Sequence, residues 1–231
     1  INKYLAEQGI ASRRGADDLI AQGKVLLNGK KAKPGDKVSE TDEVKVGKKL
    51  ISSRQSQNPV YILYNKPVGV ITTTDRRKPD NILDKVGYGE RIFPVGRLDV
   101  ESSGLILLTN DGELANRLTH PSYEHEKEYL VTIEEPVKFT KIERMGKGVL
   151  LENKMTAPAK VKICGKHMFS IALTEGRNRQ IRKMCEMFEY NVTDLQRVRI
   201  LNLSLKGIRE GTWRKIRKDE LKSLKYKLGL N

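Results

Sequence analysis

The most constraining feature of this sequence is the stretch from Val95 to Gly112, VGRLDVESSGLILLTNDG. It places one carboxylate, Asp99, in a segment rich in glycine and serine, directly after an arginine–leucine pair. An apolar run, Leu105 to Leu108, follows and ends in an Asn-Asp-Gly turn. This order predicts a loop, a buried strand and a tight turn, with the carboxylate at the start of the strand. An aspartate in such a setting is also common as a plain turn residue, so its role depends on the rest of the chain.

Charge is unevenly distributed along the chain, which has 231 residues and a net charge of +15. Residues 1–57 hold 12 basic and 7 acidic side chains (net +5), residues 58–139 hold 10 and 13 (net −3), and residues 140–231 hold 22 and 9 (net +13). Two basic regions flanking a slightly acidic one favour a polyanionic partner such as RNA. A membrane surface is disfavoured, because the basic residues lie among predicted strands and loops and not on one amphipathic helix.

Other classes of protein receive little support from the composition. There is no run of 18 or more apolar residues, which disfavours a membrane-spanning helix. The two cysteines, Cys164 and Cys185, lack metal-ligand spacing and are expected to be small core residues of a reduced, cytoplasmic protein. The three histidines are scattered, so neither a zinc site nor a Ser-His-Asp set is indicated.

Residues 1–50 are predicted to form a small module of two helices and a few short strands. Ser12 is a plausible N-cap for a helix RRGADDLIAQG that ends at Gly23, and KVLLNG predicts a strand followed by an Asn28-Gly29 turn. Fifty residues bury only a marginal core, so the module is expected to rely on a larger neighbour or on bound RNA. Residues 51–59, ISSRQSQNP, are polar and without periodicity, and they predict a linker.

The stretch LAEQGIASRRGADDLIAQGKVLLNGK resembles the S-four domain, an RNA-binding domain named after the fourth small-subunit ribosomal protein. The resemblance implies that the arginine pair and the nearby lysines face phosphates. Arginines near a helix N-terminus also oppose the helix dipole, which favours a partner with negative charge. The expected RNA contacts of this domain are Arg13, Arg14, Lys24, Lys30 and Lys31.

Residues 60–231 are predicted to form a larger domain of many short strands. VYILYNKPVGVITT predicts a strand, a turn and a second strand, and YLVTI, VKIC, FSIAL and VRILNLSL predict others. Only two helices are predicted in this domain, one from Gly112 to about Thr119 and one over roughly Asn178 to Phe188. Many short strands with few crossover helices predict an α+β fold on a mostly antiparallel mixed sheet.

Four stretches of this domain resemble the RsuA branch of the pseudouridine synthases. They are NKPVGVITT, VGRLDVESSGLILLTNDG, HEKEYLVTI and LTEGRNRQIRKMCEMFEYNVTDLQRVRILNLSL, in the order expected for the family. With the S-four-like module, the resemblance covers nearly the whole chain. It implies isomerisation of uridine to pseudouridine in RNA, without a cofactor or metal. HPSYEHEKEYLVTI, NRQIRKMCE and GTWRKI look most like synthases that act on large-subunit (23S) ribosomal RNA.

The resemblance assigns Asp99 as the essential catalytic residue. The reaction breaks the bond between the uracil nitrogen and the anomeric carbon of the ribose, turns the base over and joins its C5 to the sugar. A carboxylate beside the anomeric carbon can attack it, stabilise cationic charge on it or help to remove a neighbouring ribose proton, and the sequence does not choose among these routes. Only one acid is needed, because no water has to be activated.

A carboxylate in a closed pocket needs a cation nearby, because desolvation favours its protonated form. The helix NRQIRKMCEMF has a stripe of Ile181, Met184, Cys185 and Phe188 that is expected to be buried, and Arg182 lies beside it. In related synthases the basic residue at this place in the motif pairs with the aspartate, so the resemblance implies that Arg182 pairs with Asp99.

The remaining site residues are also implied by the resemblance. Tyr129 matches the tyrosine of the family's KxY element, where it lies against the target uracil and is a candidate for the proton-transfer base. Arg97 is expected either to fill the gap left by an extruded base, because its planar guanidinium stacks like one, or to bind a phosphate. Alternation along one strand places Arg197 and Arg199 on the same face. The predicted contacts to the RNA backbone are Lys66, Arg177, Arg179, Arg197 and Arg199.

Two other functions fit part of the sequence. A ribosome-associated RNA-binding factor without activity would explain the charge and residues 1–50, but it leaves the motif-rich domain without a role. A metal-dependent nuclease would use acids that also fit turn and helix-start positions, namely Asp99, Glu101, Asp111 and Glu113. The sequence leaves open the modified uridine and the choice between ribosomal RNA and a transfer RNA stem-loop. We expect a monomer.

Overall fold

A computed structural model of the protein describes residues 1–39, 41–51 and 58–230. The described chain separates into two compact units. The first consists of Ile1–Pro59 with Asn110–Gly112, and the second consists of Val60–Thr109 with Glu113–Asn231. No helix among the described residues has both the length and the apolar character that a membrane span requires.

The described residues of the first unit form two helices and a four-stranded antiparallel sheet. The strand order is β2-β1-β3-β4. The elements are α1 (Asn2–Glu7), α2 (Arg13–Ala21), β1 (Val25–Leu27), β2 (Lys30–Lys31), β3 (Val44–Val46) and β4 (Lys49–Ile51). The small core formed between them consists of Ile1, Leu5, Ala16, Ile20, Val25, Ala32, Val44 and Ile51.

Local sequence signals explain the ends of these elements. The Ser12 side chain accepts a hydrogen bond from the backbone N–H of Gly15 at 3.0 Å, which confirms it as the N-cap of α2. Asn28 and Gly29 both have positive φ angles, 51° and 77°, as the turn between β1 and β2 requires. Of the linker predicted at residues 51–59, Ile51 is the buried last residue of β4, and residues 52–57 lie outside the described residues.

The second unit is built on one nine-stranded sheet with five helices among its described residues. The helices are α3 (Ile82–Val86), α4 (Gly112–Thr119), α5 (Phe139–Gly146), α6 (Gln180–Met187) and α7 (Lys218–Lys227). The strands of the sheet are β5 (Tyr61–Lys66), β6 (Phe93–Val95), β7 (Ser103–Thr109), β8 (Lys127–Ile133), β11 (Lys160–Gly165), β12 (Met168–Leu173), β13 (Val192–Ile200), β14 (Leu203–Ser204) and β15 (Trp213–Lys215). A separate hairpin pairs β9 (Leu150–Leu151) with β10 (Lys154–Met155).

The strand order of the large sheet is β11-β12-β8-β13-β7-β5-β15, with β6 paired to β7 and β14 paired to β13. Every pair is antiparallel except β13 with β7, where Gln196 faces Ser103 and Arg197 faces Gly104. The predicted α+β fold on a mostly antiparallel mixed sheet is therefore confirmed.

The sheet has apolar clusters on both of its faces, which explains the continuous apolar run in β7. Leu105 and Leu107 belong to a cluster that also contains residues of α4 and α7, whereas Ile106 and Leu108 belong to a cluster with residues of α3. Successive side chains of a strand point to opposite faces, so a strand covered on both sides is apolar at every position. The same holds for β5, all six residues of which are buried.

Three predictions about this unit were wrong. The described chain has α3, α5 and α7 in addition to the two predicted helices, which appear as α4 and α6. No strand follows the turn after β5, since Ile71 forms only an isolated bridge to Asn81. Cys164 is exposed on the edge strand β11, and only Cys185 is a core residue.

Candidate active site

Asp99 lies in the loop between β6 and β7 and is half-buried. Its backbone carbonyl accepts a hydrogen bond from the N–H of Ser102 at 3.1 Å, so residues 99–102 form a tight turn before the strand begins. Leu105 to Leu108 are fully buried, as predicted. The carboxylate is thus placed in a turn directly before a strand in the interior of the sheet.

Gly104 allows β13 to approach β7 closely beside this turn. Its φ angle is +104°, and a Cβ atom at this position would lie 2.3 Å from the carbonyl oxygen of Arg197 and 2.6 Å from its nitrogen. Any side chain would therefore push the two strands apart. The glycine in the Ser-Ser-Gly sequence after Asp99 is explained by this contact.

A cavity of about 680 Å³ opens beside Asp99 and lies entirely within the second unit. Tyr129 and Asp99 both line it. Six cationic side chains line the cavity against two carboxylates, those of Asp99 and Glu175. The cations are Arg97, Lys127, Lys154, Arg177, Arg179 and Arg197. A cavity of this size and charge suits an anionic, nucleotide-sized ligand.

Tyr129 is fixed by the centre of β8. It is paired with Ile171 on β12 and with Arg197 on β13, and its half-buried ring packs against apolar clusters on both sides. Lys127, two residues earlier on the same face of the strand, also lines the cavity. Lys127 is not among the residues predicted from the sequence, although the KxY spacing was a usable signal. Lys154, which lies on the β9–β10 hairpin, was not predicted either, and no motif pointed to it.

Arg179 is the cation of helix α6 that lines the cavity with Asp99. It is the N-cap residue of the helix and has a left-handed backbone, with a φ angle of 52°. Its Nη1 lies 2.7 Å from a carboxylate oxygen of Glu101. The hydrogen bond to Glu101, and to a smaller extent the charge of Asp99, raises the pKa of Arg179.

The predicted ion pair between Arg182 and Asp99 does not form in the described chain. The Arg182 guanidinium donates to the Glu101 carbonyl at 3.0 Å and to the Val192 carbonyl at 3.4 Å, and its Nε lies 3.8 Å from the Glu101 carboxylate. Arg182 is three residues beyond Arg179 on α6, about 4.5 Å further along the helix axis, which explains why it meets the end of the Asp99 turn and not the cavity.

Lys66 was predicted to contact the RNA backbone, and this prediction was wrong. Its exposed fraction is 0%, and its Nζ donates to the carbonyls of Pro67 and Val70, each at 2.9 Å. Burial lowers the pKa of Lys66 to about 8, the charge of Asp99 opposes this effect, and Arg197 adds to it. Because β5 is covered on both faces, the lysine cannot reach solvent and instead places a buried charge near Asp99.

Arg197 and Arg199 were predicted to share one face of β13, which is also wrong. Arg197 pairs with Tyr129 and Arg199 with Glu128, because a bulge lies between them. Paired residues share a face, and Tyr129 and Glu128 are consecutive, so the two arginines point to opposite faces. Arg197 is 3% exposed and donates to the carbonyls of Leu105 and Arg97.

Most of the other predicted RNA contacts in this unit are engaged by the protein itself. Arg199 forms ion pairs with Glu126 and Glu128. Arg177 binds the backbone carbonyls of Lys154 and Met155 and pairs with Glu175. Six residues of this unit were predicted to contact RNA. Among them, only Arg97 is both exposed and without an ion pair to another described residue.

The acids of the nuclease alternative do not gather into a site. Nowhere in residues 1–39, 41–51 and 58–230 do three His, Cys, Asp or Glu side chains lie close enough to hold a metal ion.

In the first unit, all five predicted RNA contacts are exposed, and none forms an ion pair with a described carboxylate. They are Arg13, Arg14, Lys24, Lys30 and Lys31.

Comparison with known families divides the chain in the same way. Residues 60–187 match the model of the RNA pseudouridylate synthase family, and residues 1–44 match the S4 domain. A relative from Salmonella typhi, the dual-specificity RNA pseudouridine synthase RluF, is 50% identical over 221 residues, which are 96% of this chain and 76% of the relative.

Two further proteins are similar over almost their whole length. The ribosomal large subunit pseudouridine synthase B of Bacillus subtilis (strain 168) is 38% identical over 234 residues, covering 97% of this chain and 95% of the relative. A crystal structure of a pseudouridylate synthase superposes with a TM-score of 0.71 at 31% identity, covering 96% of this chain and 98% of that one.

Proposed function

The chain belongs to the RNA pseudouridylate synthase family, and on that premise we propose that it isomerises one uridine of large-subunit ribosomal RNA at the cavity beside Asp99. The observation that carries the proposal is that Asp99, Tyr129 and Arg97 line one cavity that is rich in cationic groups. The name of the B-type relative, a ribosomal large subunit pseudouridine synthase, supports ribosomal RNA as the substrate. We propose a cytoplasmic monomer, divided into residues 1–50, a linker at 51–59 and residues 60–231.

Asp99 is proposed to act at the anomeric carbon of the target ribose. Its carboxylate either attacks this carbon, stabilises the positive charge that develops there, or helps to remove a neighbouring ribose proton. In each case the glycosidic bond to the uracil nitrogen breaks, and a bond from uracil C5 to the same carbon replaces it. The charge of the carboxylate acts on two nearby cations, those of Arg179 and buried Lys66.

Tyr129 and Arg97 are proposed to handle the base. The half-buried ring of Tyr129 offers an apolar surface for the uracil, and its hydroxyl is the candidate for the proton transfer at C5 that completes the reaction. Arg97 is exposed and two residues from Asp99, so its planar guanidinium can enter the space left by the extruded nucleotide. Arg182 is proposed to act indirectly, by holding the Glu101 carbonyl at the end of the Asp99 turn.

The exposed cations of the first unit are proposed to bind RNA phosphates and so to place the substrate. Exposed basic groups that are not already paired can release counterions from RNA when they bind, which is the main source of such affinity. This unit therefore contributes position and affinity, whereas the chemistry belongs to the second unit.

The proposal is tested first by finding the modified uridine. Pseudouridine is mapped in RNA from cells that lack this protein, and a synthetic stem-loop carrying the missing site is then prepared (the mapped stem-loop). Purified protein should convert its uridine with EDTA present and no cofactor added. Loss of activity on chelation, restored by magnesium without a change in RNA folding, would contradict the proposed chemistry.

Asp99→Asn is the decisive variant. It should reduce the single-turnover rate by more than about 1,000-fold, while the RNA affinity stays within about 1 kcal/mol of normal because phosphate contacts supply most of it. Asp194→Asn, which changes an exposed acid of β13 outside the cavity, is the matched control and should be fully active. An Asp99 variant that keeps a tenth of the normal rate would exclude Asp99 as the catalytic acid.

A further inference from the structure

We infer that Thr72 is a positioning residue for the reaction, because its hydroxyl fixes the backbone that carries Asp99. The inference rests on the proposed role of Asp99 in catalysis. Thr72 does not line the cavity beside Asp99. Its effect is exerted through Leu98, the residue directly before Asp99.

The Thr72 hydroxyl makes two hydrogen bonds to the same residue. It donates to the carbonyl oxygen of Leu98 at 2.9 Å and accepts from the Leu98 N–H at 3.3 Å. Both residues are buried, and Thr72 is 7% exposed. No other group in the described chain bonds to either backbone group of Leu98. A single side chain therefore satisfies both polar groups of a buried peptide segment that has no strand partner.

The residue directly after Asp99 is held by the same part of the chain. The N–H of Gly69 donates to the carbonyl of Val100 at 2.8 Å. Gly69 has a φ angle of +88°, a conformation that few other residues adopt at low cost. Residues 66–72, which we call the supporting segment, thus bond to both chain neighbours of Asp99, to Leu98 through a side chain and to Val100 through the backbone.

Lys66 explains why the supporting segment can hold its shape. Its buried ammonium group donates to the carbonyls of Pro67 and Val70, so it ties together the beginning and the middle of the segment. The end of the segment is fixed by Ile71, whose N–H donates to Asp80 and whose carbonyl accepts from Ile82. The Thr72 hydroxyl is therefore a fixed point against which the Asp99 backbone is placed.

A contact of this kind affects the rate more than the binding of RNA. The backbone at Leu98 sets the direction in which the Asp99 side chain leaves the turn. A displacement of about 1 Å in a reacting group can cost about 100-fold in rate. RNA affinity, by contrast, depends mainly on phosphate contacts elsewhere, which the hydroxyl does not influence.

The test compares Thr72→Val with Thr72→Ser on the mapped stem-loop. Valine keeps the shape of threonine but removes the hydroxyl, whereas serine keeps the hydroxyl and loses a methyl group. Thr72→Val should lower kcat about 100-fold, with KM within about threefold of normal. Thr72→Ser should have a kcat within about tenfold of normal. Thr74→Val, at an exposed threonine two residues away, should leave both constants unchanged.

Several results would overturn the inference. A Thr72→Val rate within twofold of normal would do so, as would equal losses in the valine and serine variants, because the methyl group would then be what matters. A loss confined to KM would also contradict it. If the valine variant does not fold, Thr72→Ala is compared with Thr72→Ser at low temperature, since only serine keeps the hydroxyl. Equal rates for that pair would reject the inference.

Asp99→Asn measured in the same assay separates this inference from the proposed function. If Asp99→Asn is inactive and Thr72→Val is normal, the positioning role fails while the proposed function stands. If Asp99→Asn remains active, the proposed function itself fails.

Discussion

Most of the cations predicted to contact RNA have different surroundings in the two units of this protein. In the first unit, the five cations predicted to contact RNA are exposed and form no ion pair with a described carboxylate. In the second unit, Lys66 and Arg197 are buried, and Arg177, Arg179 and Arg199 are paired with acids. The region from 140 to 231 has the larger net charge, +13 against +5, yet much of that charge is already engaged. Net charge alone therefore does not locate an RNA-binding surface.

The comparison leads to different expectations for variants of the two units. Loss of an internal cation in the second unit should disturb the geometry of the site or the stability of the fold. Loss of a free cation in the first unit should change the binding of RNA and its dependence on salt.

Of the variants that remove an internal cation, Arg182→Ala is expected to have the largest effect. Without the guanidinium, the Glu101 carbonyl loses its donor and the turn that carries Asp99 loses a contact at its end. The single-turnover rate should fall about 100-fold, while the salt dependence of RNA binding barely changes. The control is Lys183→Ala, a substitution on the same helix that removes a surface ion pair with Glu152. Its single-turnover rate should be nearly normal. An Arg182 variant with normal chemistry and a weaker salt dependence would identify Arg182 as a phosphate contact.

Lys66 should give the protein a characteristic dependence of stability on pH. Burial lowers its pKa to about 8 from a value of 10.5. Between these two values the unfolded chain binds more protons than the folded one, so the free energy of unfolding should rise with pH in this window. The difference between the two pKa values corresponds to about 3 kcal/mol in the free energy of unfolding. Below about pH 8 the protein has none of this added stability.

Urea unfolding of the normal protein and of Lys66→Met at pH 7.5 and pH 9.5 measures this contribution. The rise with pH should be present in the normal protein and clearly smaller in Lys66→Met, where only other buried groups such as Lys127, whose pKa burial also lowers, contribute to it. Lys215→Met, at an exposed lysine of β15, should retain the rise. The same pH dependence in all three proteins would show that Lys66 is not buried as a charged group.

Features with a local cause could be predicted from the sequence. The bounds of α4 match the prediction, the Ser12 cap and the Asn28-Gly29 turn are present, and the stripe on α6 is buried. Each depends on residues within about one or two helical turns or on a short turn motif. The loop, strand and turn around Asp99 were predictable for the same reason.

Features that depend on a distant partner could not be predicted. The bulge that separates Arg197 from Arg199 exists only in the pairing of β13 with β8. The burial of Lys66 results from the cover on both sides of β5. Of the missed helices, α7 has few apolar residues and only a weak periodicity of its own, and it packs against the apolar cluster of the sheet through Leu224.

The central claim is that the first unit supplies RNA affinity and the second supplies the chemistry. The most direct test measures RNA affinity at several salt concentrations, together with single-turnover rates at saturating RNA, for the double variant Arg13→Ala, Arg14→Ala. Each lost phosphate contact lowers the log–log salt slope by about 0.7–0.9. The matched control is the double variant Lys48→Ala, Lys49→Ala, which removes the same charge from exposed positions of the same unit.

We predict that the arginine variant loses about one to two units of salt slope and keeps its saturating rate, while the lysine variant keeps both. An unchanged slope in the arginine variant, an equal loss in the lysine variant, or a large fall in the saturating rate would contradict the division of roles between the two units.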